Sequence, residues 1–289
     1  MSEYVIMTDS SCDLPKEYIE EHNLDVLSLV YNLDGKLYDA ENQLDIKDFY
    51  QKMRSGSMPT TMAVNPEDVA AAMRKHLEKN EDVLYIAFSS GLSASCQNAM
   101  LAANDLKEEF GDRKIIVVDS LCASMGQGLL VHRALKLKAA GKDIDEVAEW
   151  LETHKLNLCH QFTVDDLFHL HRGGRVSKTT AVLGTLINVK PVLHVDDEGK
   201  LISLYNVRGR KKSLQALVNN MEKAIAGYED DNEDIFISHG DCIEDAQYVA
   251  KLIEERFGPK NFYYSYVGAV IGAHSGPGTM ALFHFGNKR

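Results

Sequence analysis

Short apolar runs alternate with amphipathic stretches through the first half of the chain. The runs are rich in β-branched and aromatic residues, as buried strands are, and they occupy 4–7, 24–31, 83–88 and 114–119. Apolar residues at helical spacing fill the stretches between and after them, at 66–79, 94–110, 122–140 and 144–154. This alternation predicts a largely parallel sheet covered by helices.

Beyond about residue 156 the pattern changes. Several predicted strands follow one another without a helix between them, and they lie at 156–164, 187–195, 200–207, 234–240, 261–268 and 279–285. Helical patterns occupy 165–172, 210–227 and 243–257. Such a sequence of elements predicts a mixed sheet with helices on one face. We therefore expect two α/β domains, residues 1–158 and a smaller one at 159–289, with the second contributing a loop rich in glycine and histidine to the ligand site.

Composition narrows the class of protein. Of 289 residues, 45% are hydrophobic and 26% are charged, which is typical of a globular chain with an ample core. The net charge of -12 argues against a broad surface for nucleic acid or for an anionic membrane. No run approaches 18 apolar residues, so we expect no stable membrane insertion. Five cysteines without a CxxC spacing indicate reduced thiols, and the N-terminus has no signal-like segment. We expect a cytoplasmic protein.

Polar turns follow three of the predicted strands. They are Thr8 to Ser11, Ser89 to Ser95, and Asp119 with Ser120. Ligands of parallel sheets bind at the carboxyl ends of the strands, so these turns are candidate sites. Each turn also precedes a predicted helix, and Ser, Thr and Asp are preferred N-cap residues. Capping alone therefore stays open as an explanation for each turn.

The segment from Gly91 to Ser95 allows two kinds of chemistry. It resembles the G-x-S-x-G nucleophile elbow, and the chain order Ser93, Asp119, His274 permits a hydrolase triad. Ser95 replaces the last glycine, which weakens that match. Alternatively, the backbone N–H groups and serine hydroxyls at this helix start hold an anion without attacking it. The loop with Pro59, Thr60 and Thr61 offers further hydroxyls.

Glycines surround His274 near the end of the chain, at 268, 272, 276 and 278. This spacing implies a backbone that folds tightly or that another group approaches closely. An imidazole there can donate a hydrogen bond to a carboxylate. The chain has no Walker loop, HExxH or CxxC motif, so we expect no cofactor and no metal. Two basic clusters, at 171–175 and 208–212, are either solvated faces or a docking patch for an acidic partner or phosphorylated product.

These motifs, taken together, resemble the DegV family, whose best understood members are the fatty-acid-binding subunits of bacterial fatty acid kinase. Individually the motifs are weak, but their number and order are specific. They are TDSSCDL (8–14), PTT (59–61), SSGLSASCQNA (89–99), VDS (118–120), FTVDDLFHLHRGGRVS (162–177), KPVL (190–193), VRGRKK (207–212) and GAVIGAHSGPGT (268–279).

The resemblance implies a Rossmann-like N-terminal domain, a smaller C-terminal α/β domain and a long-chain fatty acid such as palmitate, stearate or oleate in a buried tunnel. Its carboxylate is held by residues matching Thr61, Ser93 and His274. The neighbouring residues of that site are Thr60, Ser90, Gly91 and Leu92. A separate ATP-dependent kinase subunit makes the acyl phosphate for phospholipid metabolism, so this chain is expected to carry substrate without catalysis.

The same resemblance places a docking surface for the kinase subunit at Arg172, Arg175 and Arg208. Two rival functions remain open at this point. One is an acyl hydrolase that uses Ser93 and His274, and the other is a regulatory module that senses lipid.

Overall fold

The computed structural model describes residues 3–177 and 188–289. Its strands are β1 (Tyr4–Asp9), β2 (Asp25–Leu27), β3 (Tyr31–Leu33), β4 (Lys36–Tyr38), β5 (Thr60–Thr61), β6 (Asp82–Ala87), β7 (Ile115–Asp119), β8 (Leu158–Thr163), β9 (Val189–Val195), β10 (Leu201–Arg208), β11 (Asp234–His239), β12 (Asn261–Tyr266) and β13 (Met280–Phe285). Its helices are α1 (Lys16–Glu21), α2 (Ile46–Arg54), α3 (Pro66–Leu77), α4 (Ser95–Glu109), α5 (Met125–Ala139), α6 (Ile144–His154), α7 (Phe168–Arg172), α8 (Arg210–Ala224), α9 (Ile243–Phe257) and α10 (Ala269–Ser275). None of these helices is long and apolar enough to span a bilayer.

The first half contains the predicted parallel sheet. Its four strands run in the order β2-β1-β6-β7, and every neighbouring pair is parallel. Helices α3 and α4 bury an apolar face against one side, where Met73 and Ala99 pack with Tyr85. Helices α5 and α6 cover the other side. The strands are buried on both faces, which explains why their sequences are continuous apolar runs rather than alternating ones.

The second half contains the predicted mixed sheet. Six strands run in the order β10-β9-β8-β13-β11-β12, with the β11 and β12 pair parallel and the other neighbours antiparallel. Helices α8 and α9 pack on one face. The other face packs against α5, so one apolar core joins the two halves. Ile187, the first residue of the predicted strand 187–195, lies outside the described residues. The domain boundary between 158 and 159 stays a prediction.

One predicted strand divides into two. The segment 24–31 forms β2 in the parallel sheet, and then turns so that Tyr31 begins β3 of a small antiparallel sheet with the order β4-β3-β5. In that sheet Thr61 pairs with Tyr31. The sequence pattern missed this sheet and also helix α2, whose start is capped by the Asp45 side chain. Together they form a separate apolar cluster that packs against α10.

His274 lies on a helix rather than in a loop. Helix α10 ends at Ser275, and the backbone N–H of Gly276 closes its last turn onto Gly272. Gly272 allows close packing, because a Cβ built there would lie 2.6 Å from the Tyr50 hydroxyl oxygen. Tyr50 is buried, and its hydroxyl donates to the Val267 carbonyl at 2.6 Å. This packing fixes α10, and with it His274, against α2.

Gly272→Ala is expected to destabilise the fold. Overpacking costs about 1–3 kcal/mol, which exceeds the ~1 kcal/mol that Ala gains over Gly within a helix. Tyr50 cannot retreat without losing its hydrogen bond. Urea unfolding measures the change, and Gly111→Ala is the control because nothing lies within 4 Å of a Cβ there. Equal stabilities of the two variants would contradict this account of α10.

Candidate functional site

A cavity of about 180 Å³ lies between the mixed sheet, α10 and the turn that follows β6. Its walls are mostly apolar, with a few hydroxyls, two imidazoles and one guanidinium. The residues that line it are Leu29, Thr61, Met62, Ala63, Phe88, Leu92, Ser93, Ala94, Ala123, Ser124, His160, Phe162, Leu170, Arg175, Val195, Leu201, Ser238, Val267, Val270, Ile271, His274, Ser275, Thr279, Ala281 and Phe283. Both halves of the chain therefore contribute to one site.

Thr61 and His274 meet in this cavity. Thr61 Oγ1 lies 2.7 Å from His274 Nε2, although 213 positions separate the two residues in the chain. Burial, together with the nearby charges of Arg175 and Arg172, lowers the pKa of His274 to about 4. The imidazole is therefore neutral at neutral pH and keeps one N–H to donate. When that proton is on Nε2, it is donated to Thr61 Oγ1, and the Thr61 hydroxyl is then free to donate to a ligand.

Ser93 lies in the turn just before α4 and also lines the cavity. Its hydroxyl is 2.9 Å from the Ser95 hydroxyl and accepts a hydrogen bond from the Ser95 backbone N–H at 3.2 Å. Within the described residues, the hydrogen bond of His274 Nε2 is with Thr61 and not with Ser93. A serine hydrolase needs a nucleophile in contact with its base. That contact is not formed here.

The backbone of the serine turn is already engaged. The N–H of Ser90 donates to Asp119, that of Gly91 to the Ser89 hydroxyl, and those of Leu92 and Ser93 to the Ser89 carbonyl. These four backbone N–H groups therefore already have acceptors within the protein, and they do not form the anion site that the sequence predicts. The Ser93 hydroxyl remains as a polar group of the turn that lines the cavity.

The other predicted ligand residues differ in their positions. Leu92 lines the cavity, whereas Thr60 and Ser90 are exposed. Gly91 packs on the turn between β9 and β10, because a Cβ there would lie 2.5 Å from the Glu198 carbonyl oxygen. Thr60, Ser90 and Gly91 are not among the cavity-lining residues of the described chain, and their direct contact with a ligand stays a prediction.

Two of the predicted docking arginines point inward. Arg175 lines the cavity, and its Nε and Nη2 donate to the Leu92 carbonyl at 3.2 and 2.9 Å. Arg172 Nη2 donates to the carbonyls of Pro59, at 3.0 Å, and Ala273, at 2.8 Å. It thus ties the strand that carries Thr61 to the helix that carries His274. The sequence marked these arginines as basic but contained no signal of this inward orientation.

Arg208 differs from those two arginines. It is exposed at the end of β10, next to the basic first turn of α8.

The remaining polar turns are structural in the described chain. Asp9 is fully buried and accepts hydrogen bonds from the Ser11 and Phe88 backbones and from the Tyr85 hydroxyl. Asp119 accepts from the backbone of Ser90 and of Leu121. In residues 3–177 and 188–289, no group of three or more His, Cys, Asp or Glu side chains is placed to hold a metal ion.

His274 is expected to make stability depend on pH in the ligand-free protein. Its folded pKa, about 4, lies below its ordinary value of 6.5, so the unfolded chain binds more protons between these values. The unfolding free energy contributed by this group is therefore present above pH 6.5 and is lost as the pH falls towards 4. The full shift corresponds to at most about 3 kcal/mol.

His274→Gln removes this proton linkage. Urea unfolding measures the unfolding free energy of wild type and variant across the same pH range. On acidification, the wild type should lose about 1–3 kcal/mol more of this free energy than the variant. A difference that stays constant from pH 7 to pH 4 would show that the imidazole is not buried as the fold implies.

Comparisons with known proteins agree with this architecture. The sequence profile described as "uncharacterised protein, DegV family" matches residues 3–287. A DegV domain-containing protein of Clostridium perfringens is 42% identical over 100% of this chain and 99% of its own length. These matches extend over both halves of the chain.

Solved structures give the same result. A fatty-acid-binding DegV family protein from Thermus thermophilus superposes with a TM-score of 0.86 at 30% identity, covering 99% of this chain and 100% of its own. A stearic-acid-binding protein from Eubacterium ventriosum superposes with a TM-score of 0.89 at 25% identity, covering 98% of each chain. From its sequence and its fold, the chain belongs to the DegV family.

Proposed function

We propose that this protein binds a long-chain fatty acid such as palmitate, stearate or oleate. The tail occupies the mostly apolar cavity, and the carboxylate lies at Thr61, Ser93 and His274. The observation that carries the proposal is the contact between Thr61 and His274 on the wall of that cavity, which Ser93 also lines. The fatty-acid-binding relatives from Thermus thermophilus and Eubacterium ventriosum support it.

The two ends of such a ligand have different energetic roles. Burying a methylene contributes about 0.8 kcal/mol, so a chain of sixteen or eighteen carbons gains on the order of 10 kcal/mol before the costs of binding. A carboxylate loses its hydration and must find donors. The Thr61 and Ser93 hydroxyls supply them, and the neutral His274 imidazole donates its Nε2–H to Thr61 Oγ1, which turns the Thr61 hydroxyl towards the carboxylate. Each hydrogen bond to the charged group contributes about 1.5–3 kcal/mol.

The neighbouring positions have supporting roles in this proposal. Leu92 lies against the chain next to the carboxylate. Thr60, Ser90 and Gly91 hold their segments in place and border the carboxylate site. The positive charge of Arg175 on the cavity wall adds a favourable potential for an anion.

We further propose that the protein is a non-catalytic cytoplasmic carrier. In this role it presents the fatty acid to a separate ATP-dependent kinase subunit, which forms the acyl phosphate for phospholipid metabolism. The absence of a contact between Ser93 and His274 in the described chain favours carriage over hydrolysis. Arg208, exposed beside the basic start of α8, is the proposed docking residue, while Arg172 and Arg175 support docking indirectly by shaping the site.

Purified protein is expected to carry a fatty acid, and the site variants are expected to bind it more weakly. Thr61→Val and Ser93→Ala each remove one donor to the carboxylate and should raise the Kd for palmitate or oleate about 10-fold or more. Denaturing extraction with mass spectrometry identifies the copurified ligand, and titration of delipidated protein gives the Kd.

Thr153→Ala is the control for these variants, because Thr153 is exposed on α6 and its hydroxyl bonds its own helix. Protein that is free of lipid and also fails to take up palmitate or oleate would exclude the proposal. Cleavage of p-nitrophenyl esters by wild type, lost in Ser93→Ala, would instead establish the hydrolase.

Docking is tested with the loaded protein, ATP and a fatty acid kinase catalytic subunit. Arg208→Ala should lower acyl phosphate formation about 10-fold and leave the Kd for the fatty acid unchanged, because Arg208 does not line the described cavity. Lys251→Ala, on the exposed face of α9, is the matched charge control. Wild-type protein that binds fatty acid but supports no acyl phosphate formation would favour the regulatory alternative.

A further inference from the structure

A chain of hydroxyls lies in the cavity wall, built from residues other than the carboxylate site. Ser124 Oγ lies 2.5 Å from Asp13 Oδ2 and 2.9 Å from Ser238 Oγ. All three side chains are buried, and Ser124 and Ser238 line the cavity. The three residues come from the turn that follows β1, the start of α5 and strand β11. We refer to Asp13, Ser124 and Ser238 as the inner hydroxyl chain.

This arrangement is unusual for the wall of an apolar cavity. Ser238 pairs with Ala281 of β13 in the sheet, and both residues line the cavity with Phe283 and Phe162. Ser124 has φ of 53° and ψ of -146°, a conformation that costs a serine on the order of 1–3 kcal/mol, whereas Asp13 has the left-handed conformation that aspartate tolerates. Strained residues are frequent at ligand sites, so the Ser124 backbone and the buried polar groups beside it indicate a polar ligand group at this wall.

Counting protons shows which ligand group fits. When Asp13 is ionised, Ser124 donates to it and Ser238 donates to Ser124. The Ser238 oxygen then has only lone pairs left to offer. When Asp13 is protonated, the direction reverses and the Ser238 hydroxyl is free to donate.

Both protonation states are accessible near neutral pH. Burial raises the pKa of Asp13 to about 8, although hydrogen bonds from Ser124 and the Gly268 backbone lower it. A hydroxyl on the ligand can donate or accept, and it therefore matches both states. A methylene matches neither of them.

A further buried hydroxyl, outside the inner hydroxyl chain, lines the same cavity. Ser275 Oγ is buried and has no hydrogen-bond partner among the described residues. An unpaired buried hydroxyl costs about 1–3 kcal/mol. The cavity thus has more hydrogen-bonding side chains than the proposed carboxylate site needs.

We propose that the preferred ligand is a fatty acid that carries a hydroxyl group along its chain, and that this hydroxyl bonds to Ser238 at the inner hydroxyl chain. The inference rests on the proposed function, because the carboxylate site holds the same molecule at its other polar group. It assigns Ser238 as a specificity residue.

The test compares stearic acid with a panel of monohydroxystearic acids that differ in the position of the hydroxyl. Delipidated wild-type protein should bind at least one isomer more tightly than stearic acid. In Ser238→Ala, the affinity for that isomer relative to stearic acid should fall about 10-fold, as expected for one hydrogen bond. Ser124→Ala should likewise lower the ratio of the affinity for that isomer to the affinity for stearic acid. If Ser238→Ala does not fold, Ser124→Ala takes its place in the test.

Ser213→Ala is the control, because Ser213 is a fully buried serine of α8 whose hydroxyl bonds a backbone carbonyl outside the cavity. It should leave the ratio unchanged. The inference is overturned if wild type binds stearic acid at least as tightly as every hydroxylated isomer, or if Ser238→Ala lowers the affinities for the isomer and for stearic acid by the same factor. If stearic acid itself does not bind, the proposed function fails first.

Discussion

An acid enters an apolar cavity only where protein donors replace the water that its carboxylate loses. Under the proposed function, this constraint accounts for the convergence of polar side chains from distant parts of the chain. Thr61 comes from a short strand in the first quarter of the chain, and His274 comes from the last helix. The fold places these two side chains at hydrogen-bond distance.

Helix α5 is central to that architecture. It packs on the parallel sheet and on the mixed sheet at the same time, so the two sheets share one core. Its residues from Met125 to Val131 are buried throughout. The cavity lies beside this shared core, so its walls inherit the close packing of a protein interior. A rigid wall keeps hydrogen-bond donors in position before a ligand arrives, which lowers the cost of binding.

The sequence predicted the regular elements well. The helices 144–154 and 243–257 have the predicted bounds because their apolar spacing is clear, and Asp143 and Glu146 form a capping box at the first of them. The run 24–31 predicts one strand, because an apolar run does not show where the chain passes from one sheet to another. The glycines around His274 predict a loop, but the segment forms a short helix that packs closely against Tyr50. That packing partner is distant in the sequence, so no local pattern indicates it. The inward turn of Arg172 and Arg175 depends on carbonyls from distant segments, which no local pattern reveals.

Arg172 has a consequence for the placement of the Thr61 and His274 pair. Its guanidinium group bonds the carbonyls of Pro59 and Ala273, which lie close in the chain to Thr61 and His274. Strand β5 and helix α10 are thereby connected through a side chain of helix α7, in addition to the direct contact between the pair. A change at this arginine would therefore act on the pair through the two backbone segments that carry it, although Arg172 is not among the described residues that line the cavity.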